Sequence, residues 1–305
     1  MKILITDPVY DYLITQLKNR NFKYNYRPGI SREELLKIIS DYNIVIVRGR
    51  TKIDKEVLDK ATSLKAVIRF GVGLDNIDLE YCKKKGVKVF NTPEAFTEAV
   101  AELTIGLMIG ILRGLGEAHR FMKKGMWEKK RFYGYELYGK NIAILGFGRI
   151  GRRVAELLMP FNVSIIAFVR RPIPDKYIKM GVKYTFNLMD AVRDADIITI
   201  HLPLTKETEN LINYDVMKMM RRKPFIINTA RGRIINMEDL KRALIEGLIS
   251  GVALDVYYIE PYSDYELLKL DNVFLTPHIG AQTYEANIRA SKEVIRILEE
   301  IKAKS

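Results

Sequence analysis

Three polar side chains stand where a β-forming run gives way to a loop: Arg231 in NTARG, Glu260 in DVYYIEP and His278 in TPHIGAQT. A guanidinium, a carboxylate and an imidazole together suit the interconversion of a 2-oxo acid and a 2-hydroxy acid. That reaction needs a proton donor at the carbonyl oxygen, a cation for the carboxylate or the developing oxyanion, and a source of hydride. His278 is the candidate donor in reduction and base in oxidation, because an ordinary imidazole titrates near neutrality. Glu260 would stabilise the imidazolium and orient the ring. Arg231 would hold the substrate carboxylate and polarise its keto group. Each residue alone also has a plain structural reading: a glutamate before Pro261 is often a loop residue, and a histidine at a strand end often a structural one. Of the other histidines, His119 reads as a surface residue on the first long helix. His201 ends a strand and is expected to face the cleft where a cofactor would lie.

A hydride source needs a berth, and the strongest local motif provides one. Gly146-Phe147-Gly148-Arg149-Ile150-Gly151 follows an apolar strand directly and opens the helix GRRVAELLM. The first glycine permits the tight turn, the second lets backbone approach a pyrophosphate, and the third lets helix and strand pack closely. The helix N-terminus then offers N–H groups to the phosphates. An NAD site carries an acid about 20 residues further on, at the end of the next strand. Here that place reads Phe168-Val169-Arg170-Arg171-Pro172. Two guanidinium groups without a carboxylate suit a dianionic 2'-phosphate, so the expected cofactor is NADP(H), with NAD(H) as the alternative.

The elements that must position these residues are legible as short β-branched runs alternating with helical patterns. KILIT (2–6), FKYNY (22–26), NIVIV (43–47), KAVIR (65–69) and VKVF (87–90) form a first series, with SREELLKIIS and DKEVLDKA as amphipathic helices between them. This alternation predicts a parallel sheet wrapped by helices, closing near residue 92. Asn91-Thr92-Pro93 then launches a long helix through Leu112, with Pro93 in its first turn. A second series begins at Lys140: NIAILG (141–146), VSIIAFV (163–169), DIITIHL (196–202), PFIINT (224–229), GVALDV (251–256) and NVFLT (272–276). It predicts a second doubly wound parallel sheet. A last helical stretch, 283–302, follows the final strand and can cross back onto the first domain.

The composition narrows the function classes. With 305 residues and 48% hydrophobic content, the chain has enough apolar mass for full cores. Its one cysteine, Cys82, has no internal partner, so a reduced, cytoplasmic setting is expected. The N-terminus meets Asp7 and Pro8 before a signal-like apolar core develops, and the stretch 103–112 is too short for a bilayer span. A formal charge of +13 points to anionic partners. The basic residues are interleaved with acids, however, and no nucleic-acid recognition motif is legible, so neither a nucleic acid nor a membrane is expected as a partner. The densest basic stretch, 120–140, holds seven basic and two acidic residues and the one Trp; it reads as an arm that packs on another subunit.

The chain resembles the D-isomer-specific 2-hydroxyacid dehydrogenases over essentially its whole length. The matching segments are RFGVGLDNID (69–78), TEAVAELTIGLMIG (97–110), GKNIAILGFGRIG (139–151), HLPLTKETENLI (201–212), NTARGRIIN (228–236), DVYYIEP (255–261) and TPHIGAQT (276–283). The resemblance implies a flavodoxin-like substrate domain (1–92 plus 283–305) and a Rossmann dinucleotide domain (93–282). It further implies an active site in the cleft and a homodimer formed through the cofactor domain, with an arm at about 113–140. Arg231, Glu260 and His278 fall on the family's catalytic residues, and Asp255 on the contact to the nicotinamide amide. The cofactor candidates are Gly146, Gly148, Arg149, Ile150, Gly151, Arg170, Arg171, His201, Pro203, Thr208, Thr229, Ala230, Asp255 and Gly280. The backbone N–H groups of Val72 and Gly73 correspond to the loop that receives the substrate carboxylate.

Within the family, VRGRTKID (47–54) and RFGVGLDNID look most similar to D-3-phosphoglycerate dehydrogenases. Arg48, Arg50 and Arg69 are then candidates for a phosphorylated substrate. The absent acid after the second Rossmann strand and the TEA segment (97–99) look more like glyoxylate or hydroxypyruvate reductases. The phosphoglycerate reading is the main expectation and the reductase reading its alternative. A third alternative, of another class, is a non-catalytic dinucleotide-sensing interaction protein.

Overall fold

The computed structural model describes residues 1–263 and 265–304, which divide into two compact units. One comprises Met1–Thr97 together with the stretch from Ala281 onward; the other is Glu98–Gly280. The boundaries thus fall at 97/98 and 280/281, where the sequence reading put them at 92/93 and 282/283.

The first unit holds β1 (Lys2–Ile5), β2 (Lys23–Tyr26), β3 (Ile44–Val47), β4 (Ala66–Arg69) and β5 (Lys88–Asn91). They form one sheet in the order β2-β1-β3-β4-β5, parallel throughout. This is the flavodoxin-like order, with a reversal of winding between β1 and β3. Both faces are covered, so the central strands are apolar without alternation: every residue of β3 is buried. Leu4, Val45 and Val67 face Leu35, Val57 and Leu58 of the flanking helices. The helix Asp11–Asn19 packs against the C-terminal helix Tyr284–Ala303. That helix starts where Thr283 accepts from the Ala286 N–H, and it buries Ala290, Val294 and Leu298. A fully buried Val, Leu or Ile contributes about 1.5–3 kcal/mol relative to exposure, so these faces hold the unit together.

The second unit holds β6 (Asn141–Leu145), β7 (Ser164–Phe168), β8 (Lys183–Thr185), β9 (Ile197–Ile200), β10 (Phe225–Asn228), β11 (Gly251–Leu254) and β12 (Val273–Leu275). The order is β12-β11-β10-β9-β6-β7-β8, again parallel throughout. It is a Rossmann sheet extended by one strand, and its winding reverses between β6 and β9. One face is covered by the helices Thr97–Arg113 and Arg149–Leu158, through Leu107, Met108, Val154 and Leu158. The other packs on Met237–Ile245 through Leu240 and Leu244.

Three local expectations need correction. The long helix begins at Thr97, not at Pro93. Residues 93–96 form a turn in which Ala95 and Phe96 are buried, Phe96 sits edge-on to Phe70, and the Ala95 carbonyl accepts from Arg289 Nε (3.0 Å) instead of a helical N–H. His119 lies on a separate helix, Leu115–Lys123, because Gly114 adopts a left-handed φ of 60° and ends the long helix. Strand β8 was missed: it has three residues, none fully buried, at the sheet edge. Among the described residues no single helix is long and apolar enough to cross a membrane.

Candidate active site

In the second unit, the loops leaving β10, β11 and β12 bring the three proposed catalytic residues into one network. Beyond β10 the chain folds around the side chain of Asn228, which is fully buried. Its Oδ1 accepts from the Ala230 N–H (3.0 Å), and its Nδ2 donates to the Arg231 carbonyl (2.9 Å). Arg231 donates from its guanidinium to the Ala230 carbonyl (2.7 Å). The next residue must be glycine: a Cβ on Gly232 would overlap the backbone of Tyr257. The Arg231 turn and the 257–260 loop are therefore in backbone contact.

Tyr257 ties that loop to the next. Its hydroxyl donates to the Thr276 carbonyl (2.8 Å), and its N–H donates to Glu260 Oε1 (3.1 Å). The other carboxylate oxygen of Glu260 accepts from His278 Nδ1 (2.8 Å). Burial opposes ionisation of Glu260. The bond and charge of His278, the Tyr257 N–H and the nearby charge of Arg231 outweigh it, and the carboxyl is held below the usual glutamate range. With Glu260 ionised, Nδ1 carries the hydrogen, and Nε2 is left to exchange protons. Geometry and charge thus link His278 to Glu260 directly, and Arg231 to Glu260 through its field.

Asp255, 1% exposed at the end of β11, fixes the segment that carries His278. Its Oδ1 accepts from Thr276 Oγ1 (2.6 Å) and the Ile279 N–H (2.8 Å), and its Oδ2 from the Gly280 N–H (2.8 Å). These donors bracket His278, whose φ is 56° and whose N–H donates to the Thr276 carbonyl (3.0 Å). Few non-glycine residues adopt this left-handed conformation, and here the flanking bonds to Asp255 hold it.

The glycine turn follows β6 as the sequence motif requires. Gly146 has φ 95°, and a Cβ there would lie 2.7 Å from the His201 carbonyl oxygen. Gly151 is buried against the Gly146 carbonyl. Gly148 caps the helix Arg149–Leu158 with no side-chain bond and open space around it, so the helix N-terminus is accessible to an anion. Arg149 is exposed there and Ile150 half-buried; Arg170 and Arg171 are exposed beyond β7. His201 follows β9. Its Nε2 pairs with Thr199 Oγ1 (2.9 Å), whereas Nδ1 is buried with no hydrogen-bond partner among the described residues. Burial pushes the imidazole down to about 3, so the ring is neutral at physiological pH. Thr208 is engaged by its own loop, with its hydroxyl donating to the Pro203 carbonyl (2.7 Å). Thr229 is nearly buried beside Thr104, their hydroxyl oxygens 3.0 Å apart, and Gly280 packs against Asp255. An open glycine cradle, an uncapped helix terminus, two exposed guanidinium groups and an orphaned imidazole nitrogen fit a dinucleotide.

In the first unit, Asp7 (1% exposed) holds the loop after β3. It accepts from the N–H of Arg48 (2.6 Å), the N–H of Thr51 (3.3 Å) and the Thr51 hydroxyl (2.6 Å). Arg50 is drawn into the same knot. Its Nη2 donates to the carbonyls of Thr6 (3.2 Å) and Ile30 (3.1 Å), and its Nε lies 3.4 Å from Asp7. Arg48 stacks over Phe70, and Arg69 donates to the Phe70 carbonyl (2.6 Å). In the loop after β4, Thr92 accepts from Gly71 N (2.9 Å), and Asn91 donates to the Val72 carbonyl (2.7 Å). None of these bonds uses the N–H groups of Val72 or Gly73.

Sequence reasoning overlooked Asn228, Gly232, Tyr257, Thr276 and Asp7. Four lie inside or beside the quoted motifs, so proximity to Arg231, Glu260 and His278 was a usable signal. Asp7 had none beyond its position after the first strand.

The comparisons agree on a family. The profile described as "D-isomer specific 2-hydroxyacid dehydrogenase, NAD binding domain" matches residues 105–280. The D-3-phosphoglycerate dehydrogenase of Methanocaldococcus jannaschii is 40% identical over 99% of this chain, which spans 57% of that protein. The hydroxypyruvate reductase of Thermotoga maritima is 37% identical, with 96% of each chain covered. Among solved structures, the NADPH-dependent glyoxylate/hydroxypyruvate reductase of Sinorhizobium meliloti in complex with NADP and malonate superposes with a TM-score of 0.86. It is 28% identical, with 98% of this chain and 92% of that chain covered.

The depressed His201 predicts an acid-side loss of stability. Between an unfolded value near 6.5 and a folded value of about 3, the unfolded chain binds the proton and the folded chain does not, so stability falls as pH drops through that window. The full linkage is on the order of 5 kcal/mol. Urea unfolding between pH 7 and 4 should show His201→Gln losing stability less steeply than wild type; equal slopes would refute the depressed value.

Proposed function

The chain belongs to the D-isomer-specific 2-hydroxyacid dehydrogenases, and on that premise we propose that it is an NAD(P)-dependent reductase of small 2-oxo acids of the glyoxylate and hydroxypyruvate class. The observation that carries the enzymatic reading is the hydrogen bond between His278 and an ionised Glu260, within the field of Arg231. A bound nicotinamide dinucleotide would supply hydride to the substrate's C2. His278, protonated on both nitrogens, gives its Nε2 proton to the carbonyl oxygen as charge develops there. Glu260 keeps Nδ1 protonated and balances the imidazolium. Arg231 binds the carboxylate and draws electron density from the adjacent carbonyl. In oxidation His278 takes the hydroxyl proton back. Retention of the whole set disfavours a non-catalytic sensor.

The substrate class departs from the phosphorylated acid favoured by the sequence. Arg50 was a phosphate reader in that account, but both hydrogens of its Nη2 and its Nε are directed at Thr6, Ile30 and Asp7. A bidentate grip on phosphate from that side would forfeit those bonds. The phosphoglycerate reading keeps support from Arg48 and Arg69 and from the 40% identity to the M. jannaschii enzyme. For the coenzyme, Arg170 and Arg171 support NADP(H), with NAD(H) as the alternative. The exposed Trp127 (79%) and Tyr133 (89%), with Tyr135 and Tyr138, support a homodimer built on this arm.

A spectrophotometric screen of glyoxylate, hydroxypyruvate and 3-phosphohydroxypyruvate with NADPH and NADH tests the reading. The highest kcat/KM is expected for an unphosphorylated acid with NADPH. Clear preference for the phosphorylated acid would restore the phosphoglycerate reading, and binding of coenzyme without turnover of any of the three would favour the sensor. His278→Ala is expected to lower kcat roughly a hundredfold to ten-thousandfold while coenzyme Kd stays within twofold. Near-normal turnover would remove His278 from the role. Sedimentation equilibrium is expected to give twice the 35.2 kDa chain mass; a monomer at micromolar concentration would exclude the dimer.

A further inference from the structure

The end of β7 lacks the acid that normally meets the adenine ribose, but the loop after β9 brings one toward the same place. We propose that Glu207 is a coenzyme-discriminating residue, whose carboxylate opposes Arg170 and Arg171 and weakens the hold on a 2'-phosphorylated dinucleotide relative to an unphosphorylated one. The inference rests on the dinucleotide reading above and deepens it.

Three observations place Glu207. The sheet order β9-β6-β7 starts the loops after β9 and β7 on either side of the glycine turn, from strand ends two spacings or roughly 10 Å apart. The start of the β9 loop touches that turn, since the His201 and Leu202 backbone leaves no room for a Cβ on Gly146. The loop then closes on itself. The Thr205 N–H donates to Thr208 Oγ1 (2.8 Å), and the N–H groups of Thr208 and Glu209 donate to the Thr205 carbonyl (3.2 and 3.0 Å). This leaves Lys206 and Glu207 exposed at the tip.

The loop's two acids are used differently. Glu209 pairs with Arg233. Glu207 accepts from the Thr205 side chain and lies in the field of Arg170 and Lys206, which together keep its carboxyl below the usual glutamate range. It is therefore ionised throughout the neutral range. A 2'-phosphate held by Arg170 and Arg171 would feel that charge, whereas a 2'-hydroxyl would not. For a dianion about 10 Å from one exposed charge, Coulomb's law in a solvent-like dielectric gives about a two- to fourfold effect on affinity at low salt, fading as the screening length shrinks.

The test is equilibrium binding without substrate, by calorimetry or nucleotide fluorescence, with NADPH and NADH. At low ionic strength Glu207→Gln is expected to raise the ratio Kd(NADH)/Kd(NADPH) two- to fourfold, chiefly by tightening NADPH. Glu207→Lys is expected to raise it further, and both gains should shrink at 0.5 M salt. A ratio unchanged in both variants, with both nucleotides still bound, overturns the role of Glu207 and leaves the dinucleotide site standing. A wild-type protein that binds neither nucleotide overturns the site itself, and this inference with it.

Discussion

In an all-parallel sheet every strand ends on the same edge, and the ladder there runs out of partners for its last N–H and carbonyl groups. Those groups must be satisfied by something other than the sheet. In the second unit, side chains do it: Asn228 closes the turn after β10, Asp255 gathers the chain after β12, and Tyr257 bonds to the Thr276 carbonyl. The polar residues needed to finish the sheet are thus also those that hold Arg231, Glu260 and His278 in place. Structure and chemistry are not separable at this edge.

Asp255 shows how tight that coupling is. A carboxylate with 1% exposure is costly unless each oxygen finds donors, and here all three donors come from a stretch of five residues around His278. The conformation of His278, with its positive φ, is imposed from both flanks by one buried charge. The resemblance assigns Asp255 to the nicotinamide amide. The observed bonds show that its carboxylate also organises the loop on which the imidazole sits.

Much of this was legible in the sequence. Eleven strands were placed from β-branched runs, because a sheet covered on both faces needs continuous apolar segments. The glycine motif was readable because its spacing encodes a steric fact, the approach of Gly146 and Gly151 to neighbouring backbone. Strand β8 escaped because three half-exposed edge residues carry no burial signal. The start of the long helix was misplaced because the Pro93 preference is local, whereas the diversion of the Ala95 carbonyl to Arg289 depends on a residue almost two hundred positions away. The commitment of Arg50 to carbonyl oxygens was likewise invisible. Residue type reveals that a guanidinium can bind an anion, and only coordinates reveal that part of its donor set already meets Thr6, Ile30 and Asp7.

The contact between Thr104 and Thr229 carries one more implication. Thr104 has a single hydroxyl proton and directs it to the Val100 carbonyl (2.8 Å), as helical threonines do. The 3.0 Å contact with Thr229 must then use the proton of Thr229. What remains on that oxygen is lone-pair density, so at the end of β10 this hydroxyl offers an acceptor and no further donor. A polarity at the sheet edge is dictated from the middle of a helix packed against it.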